Sequence, residues 1–502
     1  MDNFYALCAQ RMGTGPFIQD ANGVELYSYS DLEKLSARIA NQFDALGIKK
    51  GDRLAIQVEK SVHNLLIYFA CLRAGIIYLP LNTAYQAQEL SYFIKDASPS
   101  VIVCDPSREE TFQIINNQNG DNAKTAILTL DREGIGSVTQ HLDNYSSERN
   151  VVECSPNDTA VILYTSGTTG KPKGAMITHN NLKTNALTLL ETWRWQKEDI
   201  MLHALPVFHI HGLFVATHLP VLNASPVVFL EKFDPAKVID CFQRSTVYMG
   251  VPTNYTRLLD SGNLNRQACK NMRLFTCGSA PLLEKTFEEF RQITGHTIVE
   301  RYGMTETGMN SSNPVSGIRK AGTVGLPLES VEIRLVDEAG SRVQTGSPGH
   351  LQVRGPNVFS GYWQMPDKTS DEFTSDGFFK TGDIASMDTD GYLSIVGRNK
   401  DMIITGGLNV YPKEIELLLD ELDNVIESAV IGVPHPDFGE AVVAVVATQD
   451  REMSEEKIKG LLGQRLAGYK VPKAVVFVEE LPKNTMGKVQ KNVLRERFSA
   501  LL

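Results

Sequence analysis

Along the first 300 positions, short apolar runs alternate with longer stretches of helical period. Tyr29-Ser30-Asp31-Leu32-Glu33 carries a capping pattern, and apolar residues then recur at helical spacing through position 46. Residues 52–58 read as a strand, 61–74 as a helix, and 76–81 and 101–104 as strands. The rhythm resumes later. Strands are predicted at 160–164, 201–205, 227–230, 247–251, 273–277 and 297–300, with helices at 234–244, 252–259 and 281–294. Strands separated by helices make a parallel sheet covered on its faces.

From about position 320 the texture changes. Alternation such as His350-Leu351-Gln352-Val353-Arg354 predicts a β-rich subdomain over roughly 320–399. A charged break, Gly397-Arg398-Asn399-Lys400-Asp401, precedes about 100 residues with their own elements, including strands at 441–447 and 474–478. The expected architecture is α/β. A large N-terminal domain, 1–399, has mixed parallel sheets flanked by helices plus the β-rich subdomain. A small mobile α+β domain follows at 400–502, hinged at Lys400.

Composition changes this picture little. A net charge of -10 disfavours a nucleic-acid partner. Seven dispersed cysteines without a Cys-x-x-Cys pair suit a reducing compartment and no zinc site. The N-terminus lacks a basic segment followed by an apolar run, and Arg73 and Gly75 interrupt the most apolar stretch. The expectation is a cytoplasmic protein with no membrane partner.

Chemistry concentrates just after predicted strands, where open α/β sheets bind ligands. Thr165-Ser166-Gly167-Thr168-Thr169-Gly170-Lys171-Pro172-Lys173-Gly174 follows the strand at 160–164. Its three glycines let backbone N–H groups close on a ligand, and its four hydroxyls and two lysines add donors and charge, which suits polyphosphate. Lys171 is followed by Pro172, so this is not the common P-loop. The stretch resembles the phosphate-binding motif of the adenylate-forming enzymes, which include acyl-CoA synthetases, luciferases and peptide-synthetase adenylation domains. Other motifs of that family occur in order over almost the whole chain.

The resemblance implies roles residue by residue. In Glu300-Arg301-Tyr302-Gly303-Met304-Thr305-Glu306, Tyr302 stacks on adenine, Thr305 meets the α-phosphate and Glu306 binds Mg²⁺. Gly278-Ser279-Ala280 lies beside the adenine. Asp383, in Lys380-Thr381-Gly382-Asp383, accepts the ribose hydroxyls with help from Arg398. Lys488, in Pro482-Lys483-Asn484-Thr485-Met486-Gly487-Lys488, is the catalytic lysine and, as an exposed amine, a candidate for regulatory acetylation. Gly406 and Gly407 line a thiol tunnel, and His209 stands at its gate. The implied activity is ATP-dependent, with Mg²⁺ as cofactor and coenzyme A as second substrate. A carboxylate is activated as an acyl-adenylate, and a thiol then displaces AMP.

The acid is read from departures within those motifs. Arg257 lies on the helix after Pro252, where relatives for fatty or aromatic acids are apolar, and Arg301 stands directly before Tyr302. A pocket guanidinium needs a carboxylate partner. With Ser279 and His209, and Met309 closing the pocket, these residues predict a short acid with a second carboxylate. The resemblance is to family members that take malonate, with methylmalonate left open. The alternatives are another short, medium-chain or aryl acid, or an adenylation enzyme that loads a carrier protein.

Overall fold

The computed structural model describes residues 2–118, 125–165, 172–279, 282, 284–398, 403–410, 412–422, 424–448, 453–482 and 489–502. Among these residues the chain forms four sheets. The first runs in the order Ala126–Thr129, Val101–Cys104, Arg53–Gln57, Ile77–Pro80, Thr159–Thr165, Lys173–Thr178, parallel except for its last pair. The second is larger. Its parallel centre is Val299–Met304, Leu274–Cys277, Val247–Gly250, Met201–His203, Val227–Phe229 and Pro16–Gln19. Antiparallel strands finish both of its edges.

Local chemistry starts and stops the helices that cover these sheets. Tyr29–Ala45 begins at a capping box between Ser28 and Asp31. Val62–Ala74 begins where Ser61 accepts from the Asn64 N–H, and it ends at Gly75 in the left-handed region, φ 68°. This second helix is apolar on all sides because it is buried on all sides. The core that contains it also takes side chains from both sheets, Leu54 and Tyr78 from the first and Met249 and Leu274 from the second. The two sheets are therefore one packed body, with the carboxyl ends of their strands fixed relative to each other.

A four-stranded antiparallel sheet, Glu332–Val336 to Leu393–Arg398, supplies the β-rich part. The smaller C-terminal unit holds Leu408–Val410, Ile403–Thr405, Gly439–Thr448 and Val425–His435, with Ala474–Val478 added parallel. No helix among the described residues is long and apolar enough to cross a membrane.

The structure departs from the sequence reading where polar residues hide a strand. The strand expected at 297–300 runs as Val299–Met304, through the motif itself, because it turns back and pairs with Gly308–Ser312. Gly303 makes that hairpin possible, since a Cβ there would lie 2.1 Å from the Gly308 carbonyl oxygen. Lys173 and Gly174 likewise belong to a strand, Lys173–Thr178, paired with Thr159–Thr165. The glycine-rich segment thus joins two antiparallel strands, although positions 166–171 lie outside the described residues.

The C-terminal unit meets the larger body through a buried charge cluster. Lys470, 2% exposed, lies 2.9 Å from Glu89 and 2.8 Å from Glu414. Glu89 also caps its own helix by accepting from the Gln86 N–H. Removing one member of such a cluster leaves buried charge unpaired, at a cost of about 3–5 kcal/mol. Lys470→Met should lower the thermal midpoint clearly. Adding Glu89→Gln to it should recover part of the loss, and calorimetry of the single and double variants checks both.

Candidate active site

The carboxyl ends of the strands from both sheets open onto one cavity of about 460 Å³. From the first sheet come Val58, Lys60 and Leu81; from the second come residues 204–209, Val251 and Ser279; from the C-terminal unit come Thr405 to Leu408, Phe438 and Lys473. Gly406 and Gly407 turn with positive φ, 57° and 77°. A Cβ on Gly407 would already touch Val251 at 3.3 Å. In this arrangement the glycine turn of the small unit forms part of the cavity wall.

Arg301 lies close to His209 and His211, which line the cavity, but is not itself a lining residue. It is 2% exposed, and its Nε and Nη2 find no hydrogen-bond partner among the described residues. Its guanidinium packs flat against Gly278, where a Cβ would lie 2.5 Å from Nη1. His211 is close by, with Nδ1 3.5 Å from Ser279 Oγ and Nε2 also buried without a partner. Burial first, and the charge of Arg301 second, push His209 down to about 4 and His211 well below the usual histidine range. Both imidazoles are therefore neutral at pH 7. Burial also lowers the Arg301 pKa to about 10, so the guanidinium stays charged. Ser279 holds φ 71°, a left-handed conformation uncommon for a residue with a side chain. The result is a buried cation with several N–H groups available and an oxygen-bearing side chain beside it.

Arg257 lines the same cavity as His209 and Ser279, but its guanidinium is paired. It sits at the rim, with its side chain 46% exposed, and its fork is taken by Asp437 of the C-terminal unit at 2.9 and 3.2 Å. Position 257 falls in the last turn of Pro252–Asp260, past the buried Asn254 and Tyr255, so its side chain reaches outward. Met309 departs from its expected place. It is fully buried in the main core and is not among the cavity-lining residues, because its strand turns it away from the opening.

A second group of polar residues adjoins the hairpin. Tyr302 is nearly buried and donates its hydroxyl to Asp383, which is 1% exposed. Asp383 follows Gly382, whose φ is 73°, and its own N–H donates to Thr381 Oγ1 at 3.1 Å. Arg398 is its cross-strand neighbour by register. Glu306 is buried and accepts from Thr165 Oγ1 at 3.3 Å and Tyr362 Oη at 3.0 Å. Lys173 Nζ sits 4.0 Å over the Tyr362 ring, with burial drawing its pKa down and Glu372 and Glu306 opposing. Thr305 lines a small neighbouring pocket with Asn357. Glu300 accepts from the Leu282 N–H, and burial raises its pKa to about 7.

The structure thus brings Thr165, Lys173 and Glu306 together, pairs Tyr302 with Asp383, and gathers His209, Arg257, Ser279, Gly406 and Gly407 around the cavity, with Arg301 buried close to His209. Ser166 to Lys171, Ala280, Lys400 and Lys488 lie outside the described residues. Two participants escaped the sequence reading. His211 could have been found from the His-x-His spacing in Phe208-His209-Ile210-His211-Gly212. Tyr362 could not, since it lies far from Glu306 in the chain.

Comparison with known proteins agrees with this geometry. Residues 8–363 match the family model of the AMP-binding enzymes, and residues 414–488 match that of the AMP-binding enzyme C-terminal domain. A malonate–CoA ligase of Arabidopsis thaliana is 33% identical over 94% of this chain and 84% of its own. A feruloyl-CoA synthase of Amycolatopsis is 35% identical over 95% of both. The crystal structure of ATP-bound MatB from Rhodopseudomonas palustris is similar at 48% identity and TM-score 0.78, covering 100% of this chain and 99% of that one. On the extent of both family matches and the shared two-part architecture, the chain belongs to the AMP-binding enzymes.

Proposed function

We propose that this chain is an acid–thiol ligase that joins a short dicarboxylic acid, malonate foremost, to coenzyme A through an acyl-adenylate. The observation that carries the choice of acid is the buried Arg301, whose Nε and Nη2 are unpartnered among the described residues and whose charge acts on the cavity-lining His211. A guanidinium with two open N–H groups matches a carboxylate at two points. A monocarboxylic acid would leave that charge buried and uncompensated.

One carboxylate of the acid would rest on Arg301, with Ser279 and the neutral imidazoles of His209 and His211 as further donors. The other would attack the α-phosphorus of ATP, releasing pyrophosphate. Tyr302 covers the adenine, Asp383 and Arg398 hold the ribose, and the segment from Thr165 to Lys173 cradles the phosphates. Glu306 is a hard carboxylate beside Thr165, which fits Mg²⁺ shared with phosphate oxygens; the ion would supply charge neutralisation there. Lys488 would act in this first half-reaction, and rotation about Lys400 would then bring Gly406 and Gly407 in for thiol attack. Arg257, Lys232 and Lys473 line the open cavity. Their charge suits the phosphates of coenzyme A, which reassigns Arg257 from the acid to the thiol substrate.

Three variants test this. Arg301→Met should lower kcat/KM for malonate by about 10³-fold or more, while the KM for ATP changes little and propionate or butyrate gains ground. Pyrophosphate release across mono- and dicarboxylic acids checks this, and malonate turnover as good as wild type would remove Arg301 from the acid site. An aryl acid preferred by the wild type would favour the feruloyl-type reading instead. Arg257→Ala should raise the KM for coenzyme A about tenfold and leave that for malonate nearly unchanged, measured with each substrate varied in turn. Lys488→Ala should abolish adenylation yet spare thioester formation from supplied malonyl-adenylate. Equal loss in both steps would show a different role.

A further inference from the structure

Lys60 is buried beneath the cavity with its ammonium group enclosed by three acceptors: His203 Nδ1 at 3.0 Å, His203 O at 2.9 Å and Leu230 O at 2.6 Å. It reaches across from the end of the first sheet to the ends of two strands in the second. The far side of the same imidazole fixes how the protons are arranged. His203 Nε2 lies 3.0 Å from the Gly212 carbonyl oxygen, which can only accept, so Nε2 carries the hydrogen. Burial and the neighbouring Lys60 keep this imidazole neutral, pushing it well below the usual histidine range. Nδ1 is then a bare acceptor, and Lys60 must donate all three N–H groups. Only the ammonium form has three. Burial opposes that charge, and the three acceptors with the Phe229 ring 4.3 Å away favour it.

The recipient of the relay is structurally unusual. Gly212 O accepts from His203 Nε2 and also from Thr217 Oγ1 at 2.8 Å. Residues His211–Val215 form a single π-helical turn, closed by the Ala216 N–H on His211 O. Such widened turns arise where a side chain competes for the backbone ladder, and they gather at functional sites. Here two side chains draw on one carbonyl. The turn is also pressed tightly onto the preceding loop, because a Cβ on Gly212 would lie 1.9 Å from Pro206 O. His209 and His211 flank this point and are the two imidazoles that reach the cavity and Arg301.

We infer that Lys60 and His203 are positioning residues, whose hydrogen-bond relay holds the Gly212 carbonyl and so fixes the π-turn that aims His209 and His211 at the acid. The inference rests on reading the cavity as the acid site, but the relay itself can be tested without it. In wild-type enzyme carrying ¹⁵N-labelled histidine, His203 should show the neutral Nε2–H tautomer, assigned by its loss in His203→Gln. Lys60→Met should change that signal. A neutral Nδ1–H form or an imidazolium in the wild type would overturn the relay, whatever acid the enzyme takes.

Kinetics then separate positioning from mere burial of the lysine. Gln at 203 can still donate to Gly212 from the Nε2 position, whereas Asn offers an acceptor to Lys60 but is too short to reach Gly212. With the acid that the wild type uses best, His203→Gln should keep the acid KM within about threefold of wild type. His203→Asn and Lys60→Met should raise it about tenfold or more, with the KM for ATP unchanged. An Asn variant that behaves as wild type while the Gln variant fails would mean that His203 serves only to satisfy Lys60, and the inference would fall.

Discussion

A charge taken out of water must be met by something, and Arg301 sets that condition at the heart of this molecule. It is 2% exposed, on the strand Val299–Met304, and its Nε and Nη2 have no hydrogen-bond partner among the described residues. The neighbourhood is arranged around the field it creates. His209 and His211 are held neutral by burial and by that same positive charge, so they cannot add to the repulsion and remain able to donate. The site is therefore not assembled from independent contacts. Burial and one buried cation together keep the neighbouring imidazoles neutral.

Holding that cation in place requires the two parallel sheets to act as one body. The helix Val62–Ala74 is buried on every side in a core shared with both sheets, which fixes their carboxyl ends against each other. The small C-terminal unit is attached differently, by Lys470 between Glu89 and Glu414 and by the half-exposed pair of Arg257 with Asp437. Ion pairs of this kind depend on geometry far more than apolar packing does, and the exposed one contributes about 0–1 kcal/mol. An attachment made of a few directional contacts can be exchanged for another set, while a continuous apolar core cannot. The contrast suits a chain whose larger part must stay rigid.

Much of this was legible in the sequence, for identifiable reasons. Strands such as Val101–Cys104 and Ala474–Val478 are short apolar runs between turn residues, and their bounds agree with the expected ones. The glycine-rich segment was visible from its chemistry, and Tyr302, Glu306 and Asp383 from their resemblance to motifs of the family. What failed to show was direction. Arg257 and Arg301 are equally charged in the sequence, and nothing in residue type says which one points inward. The helix face settles the first and the pleat of Val299–Met304 settles the second. Met309 misled for the same reason. Lys60, His203 and Tyr362 were silent because their partners lie 143, 9 and 56 positions away and share no motif.

Gly278 carries a consequence for how this site can change over time. With no side chain, it lets the Arg301 guanidinium lie against the backbone, and any Cβ at 278 would fall 2.5 Å from Nη1. The two positions are therefore coupled through that contact. A larger residue at 278 requires the Arg301 guanidinium to shift from its present place, whereas 301 can shorten and leave room behind. Once a bulky residue had filled the space at 278, an arginine returning at 301 could not lie where it lies now, so this buried guanidinium would be easier to lose than to regain.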